Sequence, residues 1–269
     1  MKKRKRWAAA ILFGVLAAVY CNCSVETEEW VIYSDRLPEA FHDLRIALVT
    51  DIHGGQLGPD NATLLENVRS AKPDYIAISG DVVDEDSDLS MLEPLLNGLT
   101  AIAPTCYVTG NHEWRIAHTE SLLQRIADCG VTVLQNDYLL LEKDGRSMVL
   151  AGAEDPNGYA DMETPTDFIT RIREEVPNDP YITLLYHRND AMPLWNELEV
   201  DLVLSGHGHG GVIRLPFVGG LLGVDRRFFP KNAEGLYIHG RTTSAVSRGL
   251  GGIRLWNRPH LPVIVLKKR

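Results

Sequence analysis

Five stretches of this chain share one pattern: a short apolar run ends, and just beyond it stands a side chain able to bind a metal. Residues 44–50 lead to Asp51 and His53, and residues 75–80 lead to Asp81. Residues 105–110 lead to Asn111, His112 and Glu113, residues 181–186 to His187, and residues 201–206 to His207 and His209. Apolar runs of about 4–8 residues bounded by glycine and polar clusters read as buried strands. Amphipathic stretches at 62–71, near 89–99 and at 119–129 fall between the early runs, with Leu64, Leu65 and Val68 on one face of the first. Strand–helix–strand alternation demands a largely parallel sheet, whose sites lie beyond the carboxyl ends of the strands. All the candidate ligands therefore belong to one edge.

The second half is richer in strands, expected at 131–134, 138–142, 147–152, 181–186, 201–205, 235–239 and 262–266, with a helix at 167–176. Lys143-Asp144-Gly145-Arg146 reads as a hairpin turn. No internal repeat or linker interrupts 44–269. That span is expected as one α/β domain of two packed sheets with helices outside, preceded by a lead-in at 26–43.

The residue types at the strand ends suit one chemistry. Hydrolysis of a phosphate ester needs a nucleophile at neutral pH, neutralisation of the anion and a proton for the leaving oxygen. Two metals about 3.5–4 Å apart supply the first two. Two carboxylates, one amide oxygen and several imidazoles can hold such a pair, and imidazole favours manganese, iron or zinc over calcium or magnesium. An imidazole left free of metal can serve as general acid. Each piece alone has an ordinary explanation: Gly80-Asp81 is a common turn pair, and a lone His187 is more often a satisfied histidine. The order, repeated after strand upon strand, is what carries the reading.

That ordered series, Asp-x-His, Gly-Asp, Gly-Asn-His-Glu, His and Gly-His-x-His, resembles the calcineurin-like metallophosphoesterase family over roughly residues 44–210. The resemblance implies a four-layer α/β/β/α sandwich of two mixed sheets with a dinuclear site at the strand carboxyl ends. It assigns one metal to Asp51, His53, Asp81 and His209, and the other to Asp81, Asn111, His187 and His207, with Asp81 bridging. It places His112 beside the phosphate, where it stabilises the anion and protonates the leaving group; Asn111, His112 and Arg188 are the expected substrate contacts. A narrower likeness, carried by Leu44-Arg45-Ile46, Gly206 to Gly211 and Val246-Ser247-Arg248-Gly249-Leu250-Gly251, is to a membrane-associated bacterial branch. That branch includes phosphodiesterases and enzymes that cleave the pyrophosphate of UDP-diacylglucosamine. Two departures stand out: Arg188 and Asn189 follow His187 where relatives carry proline nearby, and Gly208 replaces a commoner threonine. The expected activity is hydrolysis of a phosphodiester or pyrophosphate, with a lipid-linked or nucleotide-sugar lipid substrate in view. A phosphomonoesterase and a non-catalytic metal-binding scaffold are the alternatives.

Charge and the N-terminus bear on location. Net charge is −9, and since residues 2–6 contribute +5 the remainder carries −14. So acidic a surface disfavours nucleic acid, which needs clustered Lys and Arg. No obligate protein partner is inferred. Residues 7–25 follow the basic cluster without a single charge; a helix of that length just spans a bilayer core, and basic flanks stay cytoplasmic. Residues 1–25 are expected as a single-pass membrane anchor or a cleaved signal, with the domain outside the cytoplasm or secreted. Cys106 and Cys129 are placed where a disulfide is possible and two free thiols are equally admissible. The acidic run Asp84-Glu85-Asp86 reads first as a solvated helix N-terminus, and Arg226-Arg227-Phe228-Phe229 as a surface loop able to meet lipid headgroups or a phosphate.

Overall fold

The computed structural model describes residues 24–215, 218–252 and 256–269, together with Arg6, Trp7, Gly14 and Tyr20. The expected membrane segment at 7–25 lies largely outside the described residues; among those described, no helix is long and apolar enough to cross a membrane.

Two six-stranded mixed sheets form the centre. In the first, β1 (Glu26–Ser34), β14 (His260–Lys268), β2 (Arg45–Val49), β3 (Tyr75–Ser79), β4 (Thr105–Val108) and β5 (Thr132–Val133) lie in that spatial order. Only the β14–β2 pair is antiparallel. In the second, β12 (Gly235–His239), β13 (Thr242–Val246), β9 (Leu202–Ser205), β8 (Ile182–Leu185), β7 (Arg146–Gly152) and β6 (Asp137–Lys143) are neighbours, antiparallel at both outer pairs and parallel within. A small hairpin, β10 (Ile213–Leu215) and β11 (Gly219–Leu222), stands apart.

The pleat explains the layers. Alternate residues of a strand point to opposite faces. Ile46 and Leu48 of β2 join Val108, Leu150, Leu185 and Leu204 in an apolar layer between the sheets. Ala47 and Val49 face outward instead, under α1 (Ala62–Ala71), α2 (Leu92–Thr100) and α3 (Thr119–Asp128). On the far side, Val149, Ala151, Ile182 and Leu184 meet α4 (Pro165–Glu175) and α5 (Met192–Glu197) through Phe168, Ile172 and Trp195. The result is the expected α/β/β/α sandwich. Local signals set the helix ends. The Thr164 hydroxyl accepts from the Asp167 N–H at 3.2 Å with Pro165 in the first turn of α4, and Gly130, at φ 78°, ends α3.

The lead-in at 26–43 is part of this fabric. Its extended run is β1, in parallel register with β14 from Glu26↔His260 to Ser34↔Lys268. Leu37 and Phe41 behind it are buried between the sheets. The early strands and helices fall close to their expected places, although α2 begins at Leu92 after a short 3-10 turn. Strands β10, β11 and β13 and helix α5 are additions. Cys106 and Cys129 are free thiols; burial pushes the Cys106 thiol up to about 12.

Candidate metal centre

The ligand-type residues stand where the sheets end: two residues past β2 is Asp51, two past β3 is Asp81, three past β4 is Asn111, two past β8 is His187 and two past β9 is His207. Three come from the first sheet and two from the second, so the site straddles the carboxyl edges of both. The sheets are fastened to each other there. Ser79 Oγ donates to the Leu204 carbonyl across them at 3.0 Å, while Thr50 Oγ1 donates to the Ser79 carbonyl within the first sheet at 2.9 Å.

Two groups of side chains meet. In one, the ligand atoms of Asp51, His53 and His209 all lie within 4.8 Å of one another; in the other, those of Asp81, His187 and His207 do. His53 and His209 bring their Nε2 atoms to 3.2 Å, and His209 Nε2 is 3.4 Å from Asp51 Oδ1. His187 Nε2 lies 3.1 Å from Asp81 Oδ2 and 3.2 Å from His207 Nδ1. Asp81 also forms a group with His53 and His112, which puts its carboxylate between the two clusters. Asp51, Asp81, Asn111 and His187 are buried. Asn111 Oδ1 has no hydrogen-bond partner among the described residues, an expensive state for a buried amide oxygen unless something else binds it. Oxygen and imidazole donors converging here, and a buried amide oxygen left without a partner, fit a pair of divalent cations.

Outer contacts hold these ligands in aim. His187 Nδ1 is 2.8 Å from the Ser79 carbonyl, which fixes the Nδ1 proton there and turns Nε2 toward the cluster. Burial alone would lower the His187 pKa, yet the carboxylates of Asp81 and Asp51 lift it to about 10. Burial likewise lowers His207, with His187 beside it acting in the same direction. For Asp81 burial works upward, but His187 and the His112 N–H hold it well below the ordinary carboxylate value. The His207 N–H donates to both oxygens of Asp51, at 3.1 and 3.0 Å.

Two residues outside the assigned set prove central to this geometry. Glu113 is fully buried and accepts from the N–H groups of Gly110, Asp81 and Val82 at 2.8, 2.9 and 2.7 Å, lacing the third strand-end loop to the second. Burial raises its pKa, and the neighbouring Asp81 adds to the rise. Asp84 Oδ1 stands 2.5 Å from His53 Nδ1 and 3.0 Å from His112 Nδ1, while Glu85 Oε2 is 3.1 Å from the same His112 nitrogen. Asp84 and Glu85 thus face the site, while Asp86 and Asp88 stay exposed and Asp88 caps the next turn, as a solvated helix start requires. The hydrogen bond that His112 donates to Asp84 is the main reason that the His112 pKa rises to about 9, against the opposing pull of burial.

Backbone conformation completes the site. Asp51, His53, Asp81, His207 and His209 all have φ between 51° and 63°, a left-handed geometry uncommon outside glycine. Neighbouring glycines leave room for the carboxylates: a Cβ on Gly110 would stand 2.1 Å from Asp81 Oδ1, and one on Gly206 2.1 Å from Asp51 Oδ2. The 246–251 motif backs the first cluster, with the Leu250 and Gly251 N–H groups donating to the Asp51 carbonyl at 3.2 and 2.6 Å. Asn257 Nδ2 donates to the His209 and Gly211 carbonyls at 2.6 and 3.1 Å. Arg188 forms a two-point pair with buried Asp155, Nε to Oδ2 at 2.7 Å and Nη2 to Oδ1 at 2.9 Å.

Comparison with known proteins gives a consistent picture. Residues 44–211 match the family described as calcineurin-like phosphoesterase. The chain is 31% identical over 254 residues to YkuE of Bacillus subtilis, an uncharacterised metallophosphoesterase, covering 90% of this chain and 86% of that one. It is 29% identical to an uncharacterised metallophosphoesterase of Aquifex aeolicus over 96% of this chain and 98% of the relative. A third uncharacterised metallophosphoesterase, from Helicobacter pylori J99, is 31% identical, and the chain spans 58% of its length. Among solved structures, a dimetal phosphatase from Danio rerio superposes with a TM-score of 0.48 at 12% identity, covering 77% of this chain and 88% of that one.

Proposed function

The chain belongs to the calcineurin-like phosphoesterase family and is a metal-dependent phosphoester hydrolase, and we propose that its substrate is a phosphodiester or pyrophosphate met at the outer face of a membrane. A pair of divalent metals, when bound, supplies a water activated at neutral pH and neutralises the phosphate. We assign one to Asp51, His53, Asp81 and His209, the other to Asp81, Asn111, His187 and His207, and favour manganese, iron or zinc from the donor set. The observation that carries this assignment is the meeting of two ligand groups at Asp81, together with a buried Asn111 Oδ1 that has no partner among the described residues.

The chain's own residues provide the remaining chemistry. His112, half-buried at the rim, holds a proton because Asp84 and Glu85 face its Nδ1. With Nδ1 so engaged, Nε2–H is the proton aimed away from the acids, available to the oxygen that departs. Asn111 and His112 contact the phosphate in this reading. Arg188, oriented by Asp155, supplies positive charge at the edge of the second cluster. The N-terminal segment, as anchor or cleaved signal, would deliver the domain outside the cytoplasm, and a lipid-linked or nucleotide-sugar lipid substrate suits that place.

Metal analysis of purified protein, joined to rates on aryl mono- and diesters, a pyrophosphate and a nucleotide-sugar lipid, tests the assignment. Two divalent metals per chain and faster diester or pyrophosphate cleavage are expected. Asp81→Ala should abolish hydrolysis and lower the metal content; unchanged diester cleavage in that variant with metals supplied would falsify the assignment.

A further inference from the structure

Residues 212–238 are a tenth of the chain, yet they hold seven of the fourteen exposed large apolar side chains among the described residues. Phe228 and Phe229, consecutive, are 69% and 61% exposed, with exposed Val218 and Val224 nearby in sequence. Single exposed apolar residues need no explanation, but a cluster rimmed by charge marks a contact surface. The rim here is basic. Arg226, Arg227 and Lys231 are exposed or nearly so, and only Asp225 offsets them, with Oδ2 3.6 Å from Arg227 Nε. On a chain that carries −14 beyond its first residues, residues 224–231 hold three basic side chains and one acidic one, with Asp190 across the adjoining cavity.

The loop also has a fixed relation to the site and to the N-terminus. A cavity of about 500 Å³ has His207, Asn189, Arg227 and Phe228 in its wall, so it joins the second ligand cluster to the exposed phenylalanines. At the end of the loop, Glu234 accepts from Arg214 of β10 and from Arg248 Nη1 at 3.1 Å. Arg248 Nη2 reaches Glu26 at 2.6 Å. Nearby, Arg258 donates to the carbonyls of Ser24 and Val25 at 3.2 and 3.1 Å, and its guanidinium stands 5.1 Å over the Tyr20 ring. The point at which the uncharged 7–25 stretch ends is therefore tied to the root of the loop by one run of ion pairs. Trp256, 47% exposed, stands two residues before Arg258.

We propose that residues 224–231 are a docking element for an anionic lipid surface. Phe228 and Phe229 enter the boundary between headgroups and acyl chains, and Arg226, Arg227 and Lys231 meet lipid phosphates. Docked this way, the cavity beside His207 opens toward the bilayer. The biological sense of this rests on the membrane-side reading above, whereas the test below reads lipid contact and neither hydrolysis nor anchoring.

Full-length protein is mixed with vesicles of phosphatidylcholine and phosphatidylglycerol that carry a photoactivatable diazirine lipid, illuminated, and its adducts mapped by peptide mass spectrometry. Adducts within 218–232 are expected. Omitting phosphatidylglycerol, or combining Arg226→Glu with Arg227→Glu, should lower their yield about fivefold or more, since each basic residue near such a surface is worth ~1 kcal/mol. Adduct yield is normalised to the total protein recovered with the vesicles, so the reading does not depend on the N-terminal segment. Matching circular dichroism and thermal midpoints show that the variant is folded. Adducts confined to the N-terminal segment, adducts as frequent at Tyr33 or Leu140 as at Phe228, loop adducts indifferent to phosphatidylglycerol, or no adducts at all would each overturn the proposal.

Discussion

His112 keeps its proton because the charges around it are arranged for that purpose, and two substitutions separate holding the proton from using it. His112→Ala should lower kcat by about 10²–10⁴-fold on an alkyl phosphodiester, the usual contribution of a general acid. The loss should shrink on a p-nitrophenyl ester, whose leaving group needs no proton; equal losses on both would remove His112 from that role. Asp84→Asn takes away the main support of the raised pKa. In metal-free protein the His112 imidazole, followed by NMR, should then titrate well below about 9, the value it has with Asp84 in place. The sign of the linkage follows. A folded value above the ordinary 6.5 means that this proton's stabilisation is complete below about 6.5 and is lost as pH rises through about 9. The side chains of the site were unequally legible at this scale. Asp51, His53, Asp81, Asn111, His187, His207 and His209 announce themselves by type and order. Glu113 is visible in its motif without a role and Asp84 looks like an ordinary acid, since their meaning depends on which N–H groups and imidazoles the fold turns toward them. Nor does any residue code mark Asp51 or His209 for a positive φ; tertiary contacts impose it.

Between elements, the loops at the strand ends are packed so closely that a single added methyl group has no room. Gly206→Ala would set a methyl group 2.1 Å from Asp51 Oδ2 and 2.2 Å from Thr50 Oγ1. It should cost the Asp51-side metal while leaving the folded sheets intact, so metal analysis should show fewer ions per chain with unchanged far-ultraviolet dichroism. In the helical layer the reverse holds, and removal is what hurts. Leu96 is fully buried in the outer core of the first sheet, and Leu96→Ala should lower unfolding free energy by about 2–5 kcal/mol in urea. The strands that end at the site were readable because a fully buried parallel strand is a nearly continuous apolar run. Strand β13, Thr-Thr-Ser-Ala-Val, lacks that signal, since its place depends on pairing with β9 and β12 rather than on apolar bulk. The hairpin of β10 and β11 is glycine-rich and only partly buried, so neither periodicity nor composition betrays it. As for β1, its run was visible as extended chain, but its partner lies at the far end of the sequence, beyond the reach of any local pattern.

Across the whole molecule, two responses should report on buried polar groups. Removal of metal by a chelator should lower Tm, because ions that bind only the native state stabilise it by mass action; a calorimetric scan with and without added manganese or zinc checks this. Glu154 is the second. Burial lifts its carboxyl to about 7, despite the hydrogen bond from Thr109. An acid whose folded pKa is raised gives stability that is full below its ordinary 4.5 and lost as pH rises through about 7. Glu154→Gln should flatten that part of the stability profile in urea titrations between these limits.

The placing of β14 between β1 and β2 also sets a clock. Glu26 pairs with His260, and at about 5–20 residues per second a ribosome needs roughly 10–50 s to make the chain between them. Through that interval β1 and β2 wait with unsatisfied edges, and the Gly249–Gly251 segment that braces Asp51 does not yet exist. A nascent chain can therefore neither close its first sheet nor brace its first ligand cluster. The residues of the second cluster are all made by His207, so the first cluster is the one that waits for the last strand.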